Sequence, residues 1–305
     1  MKKEKIKIED SEVTIVIPTF NRSGYLQDAI NSALNQTYPC HVIVCDHSST
    51  DDTPSVMKKY KDKVEYIRKE EDLGPHFCWL DGVLHAKTKY VKLLYDDDWI
   101  EPTFVEKTIS LMRDNVSCVI SNANIYFEEE KKTQKSTFFH KTGIFNNFFI
   151  KYELLLFAGA ISPSCVLFRK DELVDGIYQG KLPIKGGNYY HGVGPDMFVM
   201  LLGLLRYPKI GFVNEYLATF RAHGKSITMN AKKKEDSSKR ILDAYRDVIE
   251  FYSFLRIFPL FKVLYFLSPV RILGVILRKN FSTIKRIRDS LIKQSRRNFP
   301  RYFHS

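Results

Sequence analysis

"KYVKLLYDDDWIEP", residues 89–102, is the stretch whose reading decides the fold of this chain. It opens as an apolar run suited to a buried strand and ends in three consecutive carboxylates, Asp96, Asp97 and Asp98, followed by Trp99. Three like charges behind a buried strand are costly, through repulsion and lost hydration, unless they face water or a cation. A solvated acidic turn is the plainer reading of such a triplet. Its surroundings favour a ligand site.

Upstream, the β-rich runs at residues 13–17, 41–45 and 64–68, together with 90–95, are each short enough for a buried strand. Helical patterns separate them, as in βαβ units with a largely parallel sheet. The first helix carries Leu26, Ile30, Ala33 and Leu34 at helical spacing, with Asn21 or Ser23 as its N-cap. In open α/β sheets ligands bind beyond the carboxyl ends of the strands, where Pro18, Asp46, the 70–74 segment and the aspartate triplet all fall. Strand alternation would then aim Asp96 and Asp98 the same way, and oxygen donors of that kind suit Mg2+ or Mn2+ carrying a nucleotide diphosphate. Beyond residue 115 the pattern changes. Residues 117–127, 161–169, 209–213 and 216–221 read as strands, 195–205 as a helix, and 128–141 as a polar, mobile loop.

At 305 residues with 44% hydrophobic content the chain can bury an ordinary globular core, which excludes disorder of the whole. Five cysteines without CxxC spacing read as buried thiols of a reducing cytoplasm. The opening MKKEKIKIED has no apolar segment of the secretory type. Residues 254–277 are apolar but carry Arg256, Lys262 and Arg271 along with Pro259 and Pro269, so a membrane span is not expected. Of the net charge of +12, residues 239–305 hold 15 Lys+Arg against 4 Asp+Glu. This charge shift divides the chain into a globular part, 1–238, and a basic extension, 239–305.

The blocks "VTIVIPTFNRSGYLQDAINSALNQTY", "VIVCDHSSTDDT", "YIRKEEDLGP" and "KYVKLLYDDDWIEP", in this order, resemble family-2 glycosyltransferases of the GT-A fold, from about Val13 to about Thr228. The resemblance implies a Rossmann-like, mostly parallel α/β sheet flanked by helices, with a C-terminal helical extension. It also implies an inverting transfer of a sugar from a nucleotide sugar, UDP-linked by family habit, to a hydroxyl of a glycan or lipid-linked saccharide. Carried over by position, Pro18 and Thr19 would lie against the base, Asp46 would accept a hydrogen bond from it, and Asp72 would flank the nucleoside. Cys45 stands where the family commonly has a further acid, which loosens the base preference. Asp96 and Asp98 would hold Mn2+ or Mg2+ between the phosphates, with His223 as a further metal contact and Asp97 on the ribose or on metal-bound water. Asp196, otherwise an ordinary helix N-terminal acid, matches the general base. Gly192 and Gly194 would let the acceptor approach closely.

In the extension, Ile241, Tyr245, Val248, Tyr252 and Leu255 recur at helical spacing, so its first part should pack on the catalytic domain. Residues 256–301 read as a basic amphipathic segment for an anionic membrane surface, which implies a peripheral protein at the inner face of the cell membrane. Packing on the domain itself or on a second subunit is the alternative, so a homo-oligomer stays open. Nucleic acid is not expected, because no recognition motif accompanies the charge. Two other functions stay in play. A sugar nucleotidyltransferase would open with a Gly-rich phosphate loop, which "IPTFNRSGYL" lacks, and a non-catalytic scaffold would not need all of Asp46, Asp96, Asp98 and Asp196.

Overall fold

Four Val/Ile-rich runs form the parallel half of a sheet: β1 (Val13–Thr19), β2 (His41–Asp46), β3 (Glu65–Arg68) and β4 (Tyr90–Leu93), in the order β3-β2-β1-β4. Both β1 and β4 are buried at every residue, as befits strands covered on both faces. Helices α1 (Ser23–Leu34), α2 (Thr53–Lys58) and α3 (Pro75–His85) make the crossovers. The computed structural model describes residues 7–148, 161–179, 182, 193–224 and 235–267.

The second half of the sheet is mixed. Elements β5 (Trp99–Ile100), α4 (Phe104–Ile109), β6 (Val116–Phe127), β7 (Lys132–Ser136), β8 (Gly143–Asn146) and β9 (Val166–Arg169) follow in the chain. Then come α5 (Lys170–Gly176), α6 (Pro195–Arg206), β10 (Lys209–Ala222) and α7 (Glu235–Leu267). The sheet continues from β4 through β9, β6 and β10 to β5. Strand β9 runs antiparallel to both β4 and β6, and β10 runs parallel to β6. This pairing across β6 and β10 carries the chain end of β10 back to the aspartate turn.

Several local expectations are corrected. The strand read at residues 90–95 ends at Leu93, so the triplet lies in a turn and β alternation does not govern its side chains. Residues 128–141 are not simply a loop, because β7 folds back on β6 as a hairpin through Lys131 at φ +51°. The strands read at 209–213 and 216–221 are one, bulged between Val213 and Ala218. In the 161–169 stretch a 3-10 turn, Pro163–Cys165, precedes β9. Neither Asn21 nor Ser23 caps α1 through its side chain. Instead Asn21, at φ +54°, accepts from the amides of Thr50 and Asp51, and Asp51 caps the Ser23 amide in return. The β1–α1 and β2–α2 loops are thereby laced together beside the site.

The five cysteines are free and buried. Among the described residues no helix is long and apolar enough to cross a membrane. By internal contacts the chain divides into one unit of Met1–Leu182 with Gly186–Tyr252 and another of Pro183–Lys185 with Ser253–Ser305. The first unit thus runs past residue 238, because the apolar stripe of α7 binds it: Ala244, Val248 and Tyr252 are buried. Residues 268–301 of the basic segment lie outside the described residues.

One buried acid makes stability depend on pH. Glu172 of α5 is 1% exposed, with Gly203 of α6 packed so closely that a Cβ there would come within 2.5 Å of its carboxyl oxygen. Burial, reinforced by Asp171, pushes the Glu172 carboxyl up to about 8. The native state therefore holds a proton that the unfolded chain releases at the ordinary carboxylate value, so stability falls as pH rises from about 4.5 to about 8. Glu172→Gln should raise the thermal midpoint by several degrees at pH 8 and leave it unchanged near pH 4; equal midpoints at both values would refute the assignment.

Candidate active site

The aspartate turn is held from below by a lysine. Lys92 of β4 is fully buried and donates from Nζ to the carbonyls of Leu93, Pro163 and Ser164, with its ammonium 4.5 Å from the Phe104 ring centroid. Burial pulls its pKa down to about 7. The 3-10 turn that it fastens presents the Ser164 hydroxyl, which accepts from the Tyr95 amide at 3.1 Å.

The three carboxylates are treated differently. Asp96 accepts from the Thr19 hydroxyl at 2.8 Å and from Arg22 at 3.1 Å. Asp97 accepts from the same Arg22 nitrogen at 2.5 Å and lies 3.1 Å from His223 Nε2. Asp98 accepts from the Arg221 amide at 3.1 Å. Burial pushes Asp96 up to about 6 despite Arg22, and burial with the neighbouring Asp97 pushes Asp98 well above the carboxylate range. Burial also acts upward on Asp97, but His223 and Arg22 outweigh it and hold Asp97 below its ordinary value. The middle carboxylate is therefore the one of the three that holds its charge to the lowest pH. Asp97 is joined to His223, whereas the expected metal pair, Asp96 and Asp98, is buried in separate hydrogen-bond sets.

Arg221 braces this arrangement. Its guanidinium donates to the Asp97 carbonyl, to Glu128 and to Asp28, and it stacks between Tyr25 and Trp99 at 4.9 and 4.8 Å from their ring centroids. Among the described residues no cluster of three or more His, Cys, Asp or Glu forms a complete metal cage. Asp97 and His223 nonetheless fit a cation that draws its remaining ligands from phosphate and water, the usual mode for Mg2+ and Mn2+ sites of nucleotides. The Arg22 guanidinium, bridging Asp96 and Asp97, marks where positive charge is favoured.

At the expected nucleoside end of the site, Pro18 and Thr19 are the last residues of β1, in register with Cys45 and Asp46 of β2. Asp46 is fully buried, and its oxygens are taken by three donors: the Ser49 amide at 2.8 Å, the Tyr66 hydroxyl at 2.6 Å and Arg68 at 2.8 Å. With no surface of its own, Asp46 is shielded from a base by the groups around it. Its register partner Arg68 is the more exposed group. Asp72 lies 2.5 Å from His47 Nδ1 and accepts from the Gly74 amide. Burial acts upward on Asp72, but those two contacts prevail and lower its pKa. The His47 ring stacks on Phe20 at 4.6 Å.

Asp196 opens α6, where its Oδ1 accepts from the amides of Gly194 and Met197, both at 2.8 Å, and its Oδ2 from the Tyr245 hydroxyl at 3.0 Å. Burial raises its pKa, and these three donors restrain the rise. Gly194 sits at φ +111°, and a Cβ there would lie 2.3 Å from the Tyr178 hydroxyl, so packing already demands glycine. Gly192 lies outside the described residues. Tyr95 ties the two halves of the site together. After burial, the groups raising its pKa are Asp196, Tyr245, Asp98 and Asp97. Reasoning from sequence missed Arg22, Lys92, His47 and Arg221, and gave Tyr245 only a packing role. Arg22, at the mouth of the first helix, was the one with a visible signal.

Comparison with known proteins fits this layout. The model of "Glycosyl transferase family 2" matches residues 14–174. An uncharacterized glycosyltransferase of Rickettsia prowazekii is 34% identical over 111 residues, 35% of this chain and 35% of that protein, so the match spans about a third of the relative's length. The putative teichuronic acid biosynthesis glycosyltransferase TuaG of Bacillus subtilis is 22% identical over 77% of this chain and 88% of its own. Among solved structures, S. aureus TarS 1-349 with UDP-GlcNAc has a TM-score of 0.56 at 17% identity, covering 77% of this chain and 66% of that one. The mannosyltransferase PcManGT of Pyrobaculum calidifontis, with GDP-Man and Mn2+, has a TM-score of 0.52 at 14% identity, covering 93% and 84%. These neighbours have the GT-A fold, as does this chain. With more than half its length matched by the family model, the chain belongs to glycosyltransferase family 2.

Proposed function

We propose that this protein moves a sugar from a nucleotide-sugar donor, UDP-linked in the first instance, to a hydroxyl of a glycan or lipid-linked saccharide, with inversion at the anomeric carbon. The observation that carries the reading is the gathering of an ionised carboxylate beside a histidine, Asp97 with His223, and of a second carboxylate, Asp196, around Tyr95. Two carboxylates in different environments can divide the work between leaving group and nucleophile.

Asp196 Oδ2 takes the proton of the acceptor hydroxyl as its oxygen bonds to the anomeric carbon, and the bond from that carbon to the diphosphate oxygen breaks with its electron pair. Asp97 and His223 would hold Mn2+ or Mg2+, which when bound would supply charge neutralisation at the diphosphate leaving group. This replaces the Asp96/Asp98 pair as direct ligands; these two support the turn, Asp96 by orienting Arg22 and Thr19. The nucleoside lies along Pro18 and Thr19 toward Asp72, with Asp46 acting through the Arg68 and Tyr66 that it holds. Two features support a lipid-linked acceptor at the inner face of the cell membrane: a relative named for teichuronic acid biosynthesis, and a tail of 15 Lys+Arg against 4 Asp+Glu.

Three outcomes are expected. Asp97→Asn and His223→Ala should weaken Mn2+ binding in the presence of UDP, read by calorimetry, and remove cation dependence from turnover. Unchanged Mn2+ affinity in both would overturn the ligand assignment. Asp196→Asn should keep UDP affinity and lose roughly 10²–10⁴-fold in turnover, the range for a lost general base. Collapse of UDP affinity with turnover intact at saturation would make Asp196 a binding residue. Truncation after Leu255 should release the protein from anionic vesicles while transfer to a soluble acceptor continues. Flotation of the truncated protein with those vesicles would count against a membrane role for the tail.

A further inference from the structure

The C-terminal helix reaches the chemistry. Residues 241, 245, 248 and 252 recur on one stripe of α7, and three contacts seat this stripe against the start of α6. Val248 lies 3.5 Å from where a Cβ on Gly194 would stand, the rings of Phe251 and Phe198 are 5.7 Å apart, and the Tyr245 hydroxyl donates to Asp196 Oδ2 at 3.0 Å. Ala244, just before Tyr245, is buried, and Val248 and Tyr252 beyond it are wholly buried, so the helix that carries Tyr245 is anchored on both sides of that level.

An ionised carboxylate offers about four lone-pair directions. In Asp196 the two on Oδ1 are filled by the amides of Gly194 and Met197, which fix the plane of the group. Tyr245 fills one on Oδ2, and the donors among the described residues leave a single direction for an acceptor hydroxyl. We infer that Tyr245 is a positioning residue for the transfer: it selects which lone pair of Asp196 meets the acceptor, and so makes α7 part of the catalytic apparatus. The inference rests on Asp196 being the general base.

Among the described residues, the groups bonded to Asp196 are the Gly194 and Met197 amides from α6 and Tyr245 from α7, and Tyr95 of the aspartate turn feels the charges of Asp196, Asp98 and Asp97. Tyr178 faces Gly194, and the buried Asp247 lies two residues along α7 from Tyr245. A phenol that donates to a carboxylate favours its ionised form, and this donor does lower the Asp196 value. Its removal therefore raises that value, and the acid limb of turnover, where the base becomes protonated, moves to higher pH.

The test follows UDP or GDP release from UDP-GlcNAc and GDP-mannose in full-length protein, using whichever donor is turned over. Tyr245→Phe should lower kcat by about 10- to 100-fold, the range for a lost hydrogen bond to a charged group, with donor KM unchanged and the acid limb shifted upward. Introduced into Asp196→Asn it should cost nothing further. Val248→Ala, which loosens the same helix without touching the carboxylate, should lower the thermal midpoint and leave the limb in place. An unmoved limb in Tyr245→Phe, an equal shift in Val248→Ala, or a full further loss in the double variant would each overturn the positioning role. Undiminished turnover in Asp196→Asn alone would instead remove the base assignment on which the inference stands.

Discussion

A run of three carboxylates buried at the end of a strand is the constraint to which the rest of the site answers. Asp96 and Asp98 are each 5% exposed, and nothing in their local sequence neutralises them. The compensation comes from elsewhere: Arg22 across Asp96 and Asp97, His223 on Asp97, the Arg221 amide on Asp98, and Lys92 beneath the turn. Taking Arg22 or His223 away would leave the Asp97 charge without a partner, a larger loss than the pair itself contributes. Holding Asp97 below its ordinary value while Asp98 rises well above the carboxylate range eases the repulsion without emptying the site of negative potential.

That resolution links fold to function. The parallel pairing of β6 with β10 brings Arg221 and His223 to the triplet, and Tyr25 of α1 joins them, its ring 4.6 Å from His223 and its hydroxyl on Glu128. The antiparallel entry of β9 between β4 and β6 brings the Pro163–Cys165 turn under Tyr95. Each insertion into the parallel half of the sheet thus delivers a support for the same turn. The helix α6 adds Asp196 with its carboxylate fixed by its own first-turn amides, as the helix N-terminus favours.

The basic extension is not one functional piece. Its first part, through Tyr252, shares the contacts of the catalytic unit and supplies a hydroxyl to Asp196. The charge count of residues 239–305 merged this helix with the more basic residues after it, because net charge is blind to which face of a helix is buried. Periodicity drew the finer line: Ile241, Tyr245, Val248 and Tyr252 share one face, and it is that face that packs.

Apart from Asp196, which only the family resemblance singled out as a candidate base, the sequence by itself determined the parallel half of the sheet, the crossover helices and the acidic turn. Those features follow from local rules: β-branched runs bounded by turns, helical spacing of apolar residues, and acids clustered beyond strand ends. Which carboxylate would hold charge was beyond such rules. Asp97 owes its state to Arg22, 75 residues earlier, and to His223, 126 residues later. Asp46 reads as a free acceptor in sequence, yet the register of β2 with β3 sets Arg68 directly beside it and Tyr66 within reach, and both donate to its Oδ2. The tertiary structure alone decided these partnerships, because burial depth and strand register are set by pairings between segments far apart in the chain, and a carboxylate's protonation follows from both.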